Sequence, residues 1–294
     1  MKSFKIMHRW VGSDRPAFIV AEIGSNHQGS VHVARRMIDE AAHCGVDAVK
    51  FQVKCIDEAF PAALLDRPYV GPHSFGATYR EHKKALELSH GDLKSLRQHA
   101  EALSLVWFAT PFDLTSMAFL RSMGVPAIKL ASFHLTDVEL IRAAGDAQVP
   151  VLLSTGMSTM HEIDQAVMIM RTEAPVVPFA LMQCTSSYPT DDCDVNLAVI
   201  STLRERFRCV VGYSSHDRGV SIPAASVCFG ARIIEKHFTL DHTARGTDHA
   251  MSLEPKGMRA LVERVRLIES AIGSSEKVVL DCEKSARKKN RGGK

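Results

Sequence analysis

The chain has 294 residues, of which 46% are hydrophobic and 23% charged, with a formal net charge of +3. That length can bury one large core, and α/β barrels of this size commonly form a single domain. Six basic residues (Lys284, Arg287, Lys288, Lys289, Arg291 and Lys294) lie beyond the last acid, so the body is slightly acidic and no nucleic-acid face is expected on it. No apolar run approaches the roughly 18 residues of a membrane span, and the opening Met1-Lys2-Ser3-Phe4-Lys5 does not read as a secretory leader. The seven cysteines are scattered with no C-x-x-C pair, which predicts reduced core thiols in a cytoplasmic protein.

In chain order, "FKIMHRWVG" reads as an extra strand or hairpin that closes the bottom of a barrel. The first apolar run is "AFIVAEIG" (17–24). A helical segment follows, with Val33, Ala34, Met37, Ile38, Ala41 and Ala42 on one face. Ser30 suits its N-cap and Gly45 its C-terminal stop. "DAVKFQV" (47–53) is the second run. The polar connection 55–85 is long enough to be functional or mobile. Further apolar runs are "LVWFATPF" (105–112), "AIKLASF" (127–133), "VLLSTGM" (151–157), "VPFALMQC" (177–184), "VVGYSSH" (210–216) and "RIIEKHF" (232–238). Amphipathic segments such as "GDLKSLRQHAEALS" and "PKGMRALVERVRLIESAIG" separate or follow them. Eight near-continuous apolar strands alternating with helices predict an α/β fold, a (β/α)8 TIM barrel over residues 1–280. A doubly wound sheet is the runner-up, but no G-x-G-x-x-G follows the first strand. Residues 281–294 are expected to be a basic, disordered tail.

In such a barrel the chemistry sits at the C-terminal strand ends. Every predicted strand ends polar: Glu22; Lys50 and Gln52; Thr110; Lys129 and Ser132; Ser154; Cys184 and, beyond it, Tyr188; Ser214 and His216; Glu235 and His237. Strand residues alternate between faces, so Lys50 and Gln52 share one, as do Ser214 and His216, and Glu235 and His237. Buried ionised groups must pair, bind metal or meet a ligand. Lys50 and Lys129, with Thr110, Ser132, Ser154 and Ser214, form a cationic, hydroxyl-rich rim suited to a small phosphorylated or carboxylated anion. His216 and His237 admit two readings: ligands of one open divalent site, or core histidines bonded to backbone.

The stretches "FIVAEIGSNHQGS", "DAVKFQ", "TYREHKKALELS", "KLAS", "VLLSTGMST", "CTSSYP", "GYSSHDRG", "IIEKHFTLD" and "GTDHAMSLEP" resemble, in order and spacing, the sialic acid synthase family over roughly residues 17–289. The resemblance implies a barrel enzyme, a carbon–carbon bond-forming transferase that condenses phosphoenolpyruvate with an N-acyl hexosamine. Its products would be a nonulosonic acid and phosphate. It implies that Lys50, Thr110, Lys129, Ser132, Ser154 and Ser214 hold phosphoenolpyruvate, that His216 and His237 hold a divalent metal (Mn2+, with Mg2+ or Co2+ as alternatives), and that Gln52, Tyr188 and Asp248 meet the sugar. Glu22 would lie beside the reacting carbons. A homodimer is the expected assembly. Many family members carry an acid where this chain has His134, Ser187 and Ser215, and typical members add a C-terminal antifreeze-like domain that lends an arginine to a partner's site. This chain stops where that linker begins, and Arg245 is the expected substitute; the plainer reading has it pairing with Asp241 or Asp248 at the surface. Two rival functions are a Schiff-base pyruvate aldolase using Lys129 or Lys50, and a sugar-binding barrel without catalysis.

Overall fold

The computed structural model describes residues 3–12 and 15–292. Two short antiparallel strands, β1 (Phe4–Ile6) and β2 (Arg9–Val11), form the predicted hairpin. Eight parallel strands follow: β3 (Phe18–Gly24), β4 (Ala48–Val53), β5 (Val106–Pro111), β6 (Ile128–Leu130), β7 (Val151–Ser154), β8 (Phe179–Cys184), β9 (Val210–Ser215) and β10 (Ile233–His237). They close into a barrel in chain order, with β10 pairing back onto β3. Helices lie between the strands and pack on the outside, as the alternation of patterns predicts.

Strand parity divides the core into two. Ile19, Ala21, Val49, Phe51, Trp107, Leu153 and Ile234 face outward into the layer shared with the helices. The alternate residues Phe18, Val20, Ala48, Phe108, Leu152, Met182 and Ile233 fill the barrel with a separate apolar cluster. Phe4, Ile6 and Val11 of the hairpin belong to that inner cluster, so the hairpin plugs one end of the barrel with its apolar side. Continuing along the same inward positions, the apolar residues give way to Glu22, Lys50, Thr110, Lys129, Ser154, Ser214 and Glu235. The barrel is dry at one end and chemical at the other.

The first helix, Val31–His43, behaves as its sequence predicts. Ser30 Oγ accepts the Val33 amide at its N-terminus, and Ala34, Met37, Ile38 and Ala41 are buried. Gly45 has φ 79°, a conformation that glycine adopts without steric cost.

The connection 55–85, read from its length as functional or mobile, folds into short helices at Ile56–Ala59, Ala62–Leu65 and Tyr79–Ala85. Its aromatic residues explain this, because Phe60, Tyr69 and Tyr79 pack edge to face among themselves and His82 lies against Tyr69. The basic segment expected to be disordered forms a helix, Asp281–Arg291, with acids in its first turn and bases in its last, which suits the helix dipole. None of its residues is buried. Deleting residues 285–294 should therefore change unfolding free energy by no more than about 0.5 kcal/mol. A large drop in denaturant midpoint, or loss of activity, would contradict that solvated reading. Among the described residues no helix is long and apolar enough to cross a membrane.

Candidate active site

The open, polar end of the barrel holds a cavity of about 330 Å³. It is lined by Glu22, Lys50, Gln52, Thr110, Lys129, Ser132, Ser154, Tyr188, Ser214, His216, His237 and Asp248. Arg245 lies outside it and lines an adjoining cavity. No ion pair joins Arg245 to Asp241 or Asp248 among the described residues; its guanidinium carbon instead lies 4.5 Å from the Phe75 ring centroid. The expectation of a surface ion pair is corrected accordingly: the ring face of Phe75, not a carboxylate, takes the cation.

The centre of the cavity is a four-charge cluster. Lys129 Nζ lies 3.0 and 3.1 Å from the two oxygens of Glu235. Lys50 Nζ lies 3.3 Å from Glu235 Oε1 and 3.2 Å from Glu22 Oε2, and donates to Thr110 Oγ1 at 2.8 Å. Ser214 Oγ donates to Glu235 Oε1 at 3.2 Å, and Gln52 Nε2 donates to Glu22 Oε1 at 2.8 Å. All four charged residues are at most 4% exposed.

Burial dominates the protonation of this cluster, and the partners then separate its members. Burial alone would raise Glu235, but Lys129 and Lys50 outweigh it and hold that carboxyl below the usual range. Burial raises Glu22, with Lys50 opposing and the Glu235 charge reinforcing. Lys129 is lowered by burial, with Glu235 opposing. Burial would also lower Lys50, but Glu22 and Glu235 outweigh it and raise it. Glu22 Oε2 has no hydrogen bond of good geometry despite the nearby ammonium, so it is a place for a proton. Whenever Glu22 carries that proton, two lysines face one carboxylate.

The histidines close one side. His216 Nδ1 lies 2.8 Å from the Thr185 carbonyl oxygen. A carbonyl only accepts, so Nδ1 carries a hydrogen, which leaves Nε2 as the nitrogen through which a ligand could be met. The Tyr188 ring lies on the His216 ring at 4.0 Å between centroids, and the two histidine rings are 5.5 Å apart. His237 Nδ1 is buried with no hydrogen-bond partner, 3.8 Å from Asp248 Oδ2. Burial pushes His237 down to about 4, with Asp248 and Glu235 opposing, so it is neutral near pH 7. A neutral imidazole with an orphaned buried nitrogen fits metal ligation. Among the described residues no group of three or more histidine, cysteine or acidic side chains is arranged to hold a metal. The fit is therefore to an open site of two imidazoles, completed by water or substrate.

Hydroxyls line the opposite wall. Ser154 Oγ is buried without a partner. Ser132 Oγ accepts the Gly156 amide at 3.1 Å. A Cβ on Gly156 would lie 2.8 Å from Ser132 Oγ and 2.4 Å from Ser186 Oγ, so any larger residue would have to push both hydroxyls from their places. Of the three departures from the family pattern, none lines the cavity. Ser215 points to the outer face of β9, where it donates to Asp217 and accepts from Lys236. Ser187 donates to the Pro189 carbonyl, and His134 lies 3.4 Å from Asp137. Glu235 is the member to which the strand-end reading gave no role. Its signal was available: it shares the inward face with His237, two residues on.

Comparison with known proteins agrees with this architecture. The NeuB family model matches residues 37–277. The chain is 41% identical to human N-acetylneuraminate-9-phosphate synthase over 96% of its length and 78% of that protein's. It is 36% identical to N,N'-diacetyllegionaminic acid synthase of Legionella pneumophila, over 92% of this chain and 78% of that one. The crystal structure of N-acetylneuraminic acid (sialic acid) synthetase from Leptospira borgpetersenii in complex with citrate superposes with a TM-score of 0.87 at 33% identity, covering 100% of this chain and 98% of that one. A closed barrel, a two-lysine, two-histidine mouth and these similarities along nearly the whole chain lead to one assignment: the chain belongs to the NeuB family.

Proposed function

We propose that this chain condenses phosphoenolpyruvate with the aldehyde of an N-acyl hexosamine, giving a nonulosonic acid and inorganic phosphate. The observation that carries this reading is the buried pair of lysines, Lys50 and Lys129, gathered on Glu235 and ringed by hydroxyls that include the orphaned Ser154 Oγ. A small trianion has charge and hydrogen-bond partners there: Lys50, Lys129, Thr110, Ser132, Ser154 and Ser214. Gln52, Tyr188 and Asp248 would hold the sugar on the histidine side. His216 and His237 would hold a divalent ion, Mn2+ in the first instance and Mg2+ or Co2+ otherwise; bound there, it supplies Lewis acidity to the aldehyde oxygen. The free cysteines support a cytoplasmic setting.

The chain's own residues then move protons. The enol carbon of phosphoenolpyruvate attacks the aldehyde carbon, and Glu22 in its protonated form gives its proton to the aldehyde oxygen. Water adds to the cationic carbon left behind and returns a proton to Glu22. The resulting hemiketal phosphate collapses: its hydroxyl becomes the new ketone, the C–O bond to phosphate breaks, and the hydroxyl proton leaves with the phosphate. One water is consumed, and Glu22 ends as it began. The buried cations hold the phosphate and carboxylate throughout.

The test is phosphate release from phosphoenolpyruvate over a panel of N-acyl hexosamines, with the nonulosonic acid identified by mass. Lys129→Ala should weaken phosphoenolpyruvate binding about tenfold or more, since a charged hydrogen bond contributes about 1.5–3 kcal/mol. Unchanged affinity by calorimetry would leave Lys129 as only the structural partner of Glu235. One observation favours a second reading: burial lowers Lys129, as a Schiff-base lysine requires. Its bidentate contact with Glu235 holds the proton in place, so borohydride with pyruvate should leave the enzyme unmodified. Trapped pyruvate would reverse the assignment.

A further inference from the structure

A second cavity, of about 320 Å³, adjoins the first and shares Gln52 and Asp248 with it. Its far wall is formed by the connection 55–85 and the loop after β10, which are held together: the Gly246 amide donates to His73 Nδ1 at 3.2 Å. Three cations line it, Lys54, Lys83 and Arg245. Lys54 is satisfied by Glu87 at 3.1 Å. Lys83 is not matched in this way. Its ammonium lies 5.0 Å from the Tyr79 ring centroid and 5.6 Å from that of Phe60, with no carboxylate within ion-pair distance among the described residues. Arg245 likewise has a ring, Phe75, and no carboxylate. The one carboxylate lining this cavity is Asp248, which leans toward His237. Burial without an acid lowers Lys83, although Asp248 and Glu87 oppose this. Two cations held on aromatic faces beside a cavity and left without counter-charges fit an anion supplied from outside.

We propose that Lys83 and Arg245 form a subsite for a phosphate on the acceptor sugar, at the carbon farthest from its aldehyde. This rests on the reading above. The aldehyde must sit at the first cavity, near the histidines and the enol carbon. An open-chain hexosamine passing Gln52 and Asp248 then places its terminal carbon in the second cavity. A neutral hydroxyl there would leave both cations unmatched, whereas a phosphate dianion meets an ammonium and a guanidinium fork together. Arg245, expected to stand in for the arginine that other members take from the antifreeze-like domain, is thereby assigned to that phosphate.

The test is calorimetric binding of N-acetylmannosamine 6-phosphate and of N-acetylmannosamine to the full chain. The phosphorylated sugar should bind about 10- to 100-fold tighter. Lys83→Met and Arg245→Met should each remove about tenfold of that preference, and Lys83→Arg should restore most of it, with melting temperatures like the parent's. Equal affinity for the two sugars, absence of binding by both, or equal weakening of both by Lys83→Met would overturn the subsite. The synthase reading fails separately. Preferential binding of the phosphorylated sugar without phosphoenolpyruvate turnover would keep the subsite and remove that reading. Turnover with no preference would do the reverse.

Discussion

Replacing His237 with alanine is expected to lower turnover by about 10³-fold or more. His216→Ala should do the same. Each change would remove one of the two imidazoles of the proposed open site, and losing a Lewis acid there would forfeit several kcal/mol of transition-state stabilisation. The geometry makes the loss hard to compensate. His237 Nδ1 is buried and unpartnered, and His216 is held by the Thr185 carbonyl beneath the Tyr188 ring. Neither variant should disturb the Lys50–Glu235–Lys129 cluster, so phosphoenolpyruvate binding should remain close to the parent's. Dialysis against a chelator should abolish activity, and Mn2+ should restore it in the parent but not in the variants. Elemental analysis should find the metal in the parent and little in His237→Ala. Full activity in verified metal-free enzyme would end the metal reading and return both residues to the role of core histidines.

Much of this site was legible because a barrel strand has a period of two and its C-terminal end is the reactive one. Knowing only those two rules, Lys50 and Gln52, or Ser214 and His216, can be placed on one inward face. Parity also explains Ser215. One residue from Ser214, it must face the opposite way, and it hydrogen-bonds Asp217 and Lys236 behind the barrel wall. The partners could not be read in this way. That Glu235 bridges two lysines depends on the closure of β10 against β3 and on side-chain reach across the barrel, neither of which strand order along the chain supplies. The connection 55–85 was opaque for another reason. Its short helices are stabilised by aromatic contacts within the segment, not by a long apolar periodicity, so its length alone leaves it either functional or mobile. Arg245 reads in sequence either as a substitute arginine for the site or as a surface partner of Asp241 or Asp248. Its actual neighbour, Phe75, comes from that same connection, and only the folded chain brings the two together.

Glu22→Gln is expected to lower kcat by about 10²- to 10⁴-fold, the usual contribution of a positioned acid–base group. Glutamine keeps the size of the side chain and can still accept from Gln52 with its carbonyl oxygen. It cannot carry a proton between the aldehyde oxygen and the attacking water. Binding should be preserved, because the substitution also removes a negative charge that competes with phosphoenolpyruvate for Lys50, 3.2 Å away. The pH profile separates a proton carrier from a residue that merely fills space. Burial and the neighbouring Glu235 charge raise Glu22, so its protonated form persists to higher pH than that of an ordinary glutamate. The resting enzyme needs that proton, so kcat should fall as pH rises through the raised pKa. A bound phosphoenolpyruvate adds negative charge beside Glu22 and should move that limb further toward alkaline pH in kcat than in kcat/KM. Glu22→Gln should be slow and should lack the limb. If the variant keeps the same limb, the titrating group lies elsewhere; if it keeps the parent's kcat, Glu22 is a structural partner of Lys50 and the proton travels by another route.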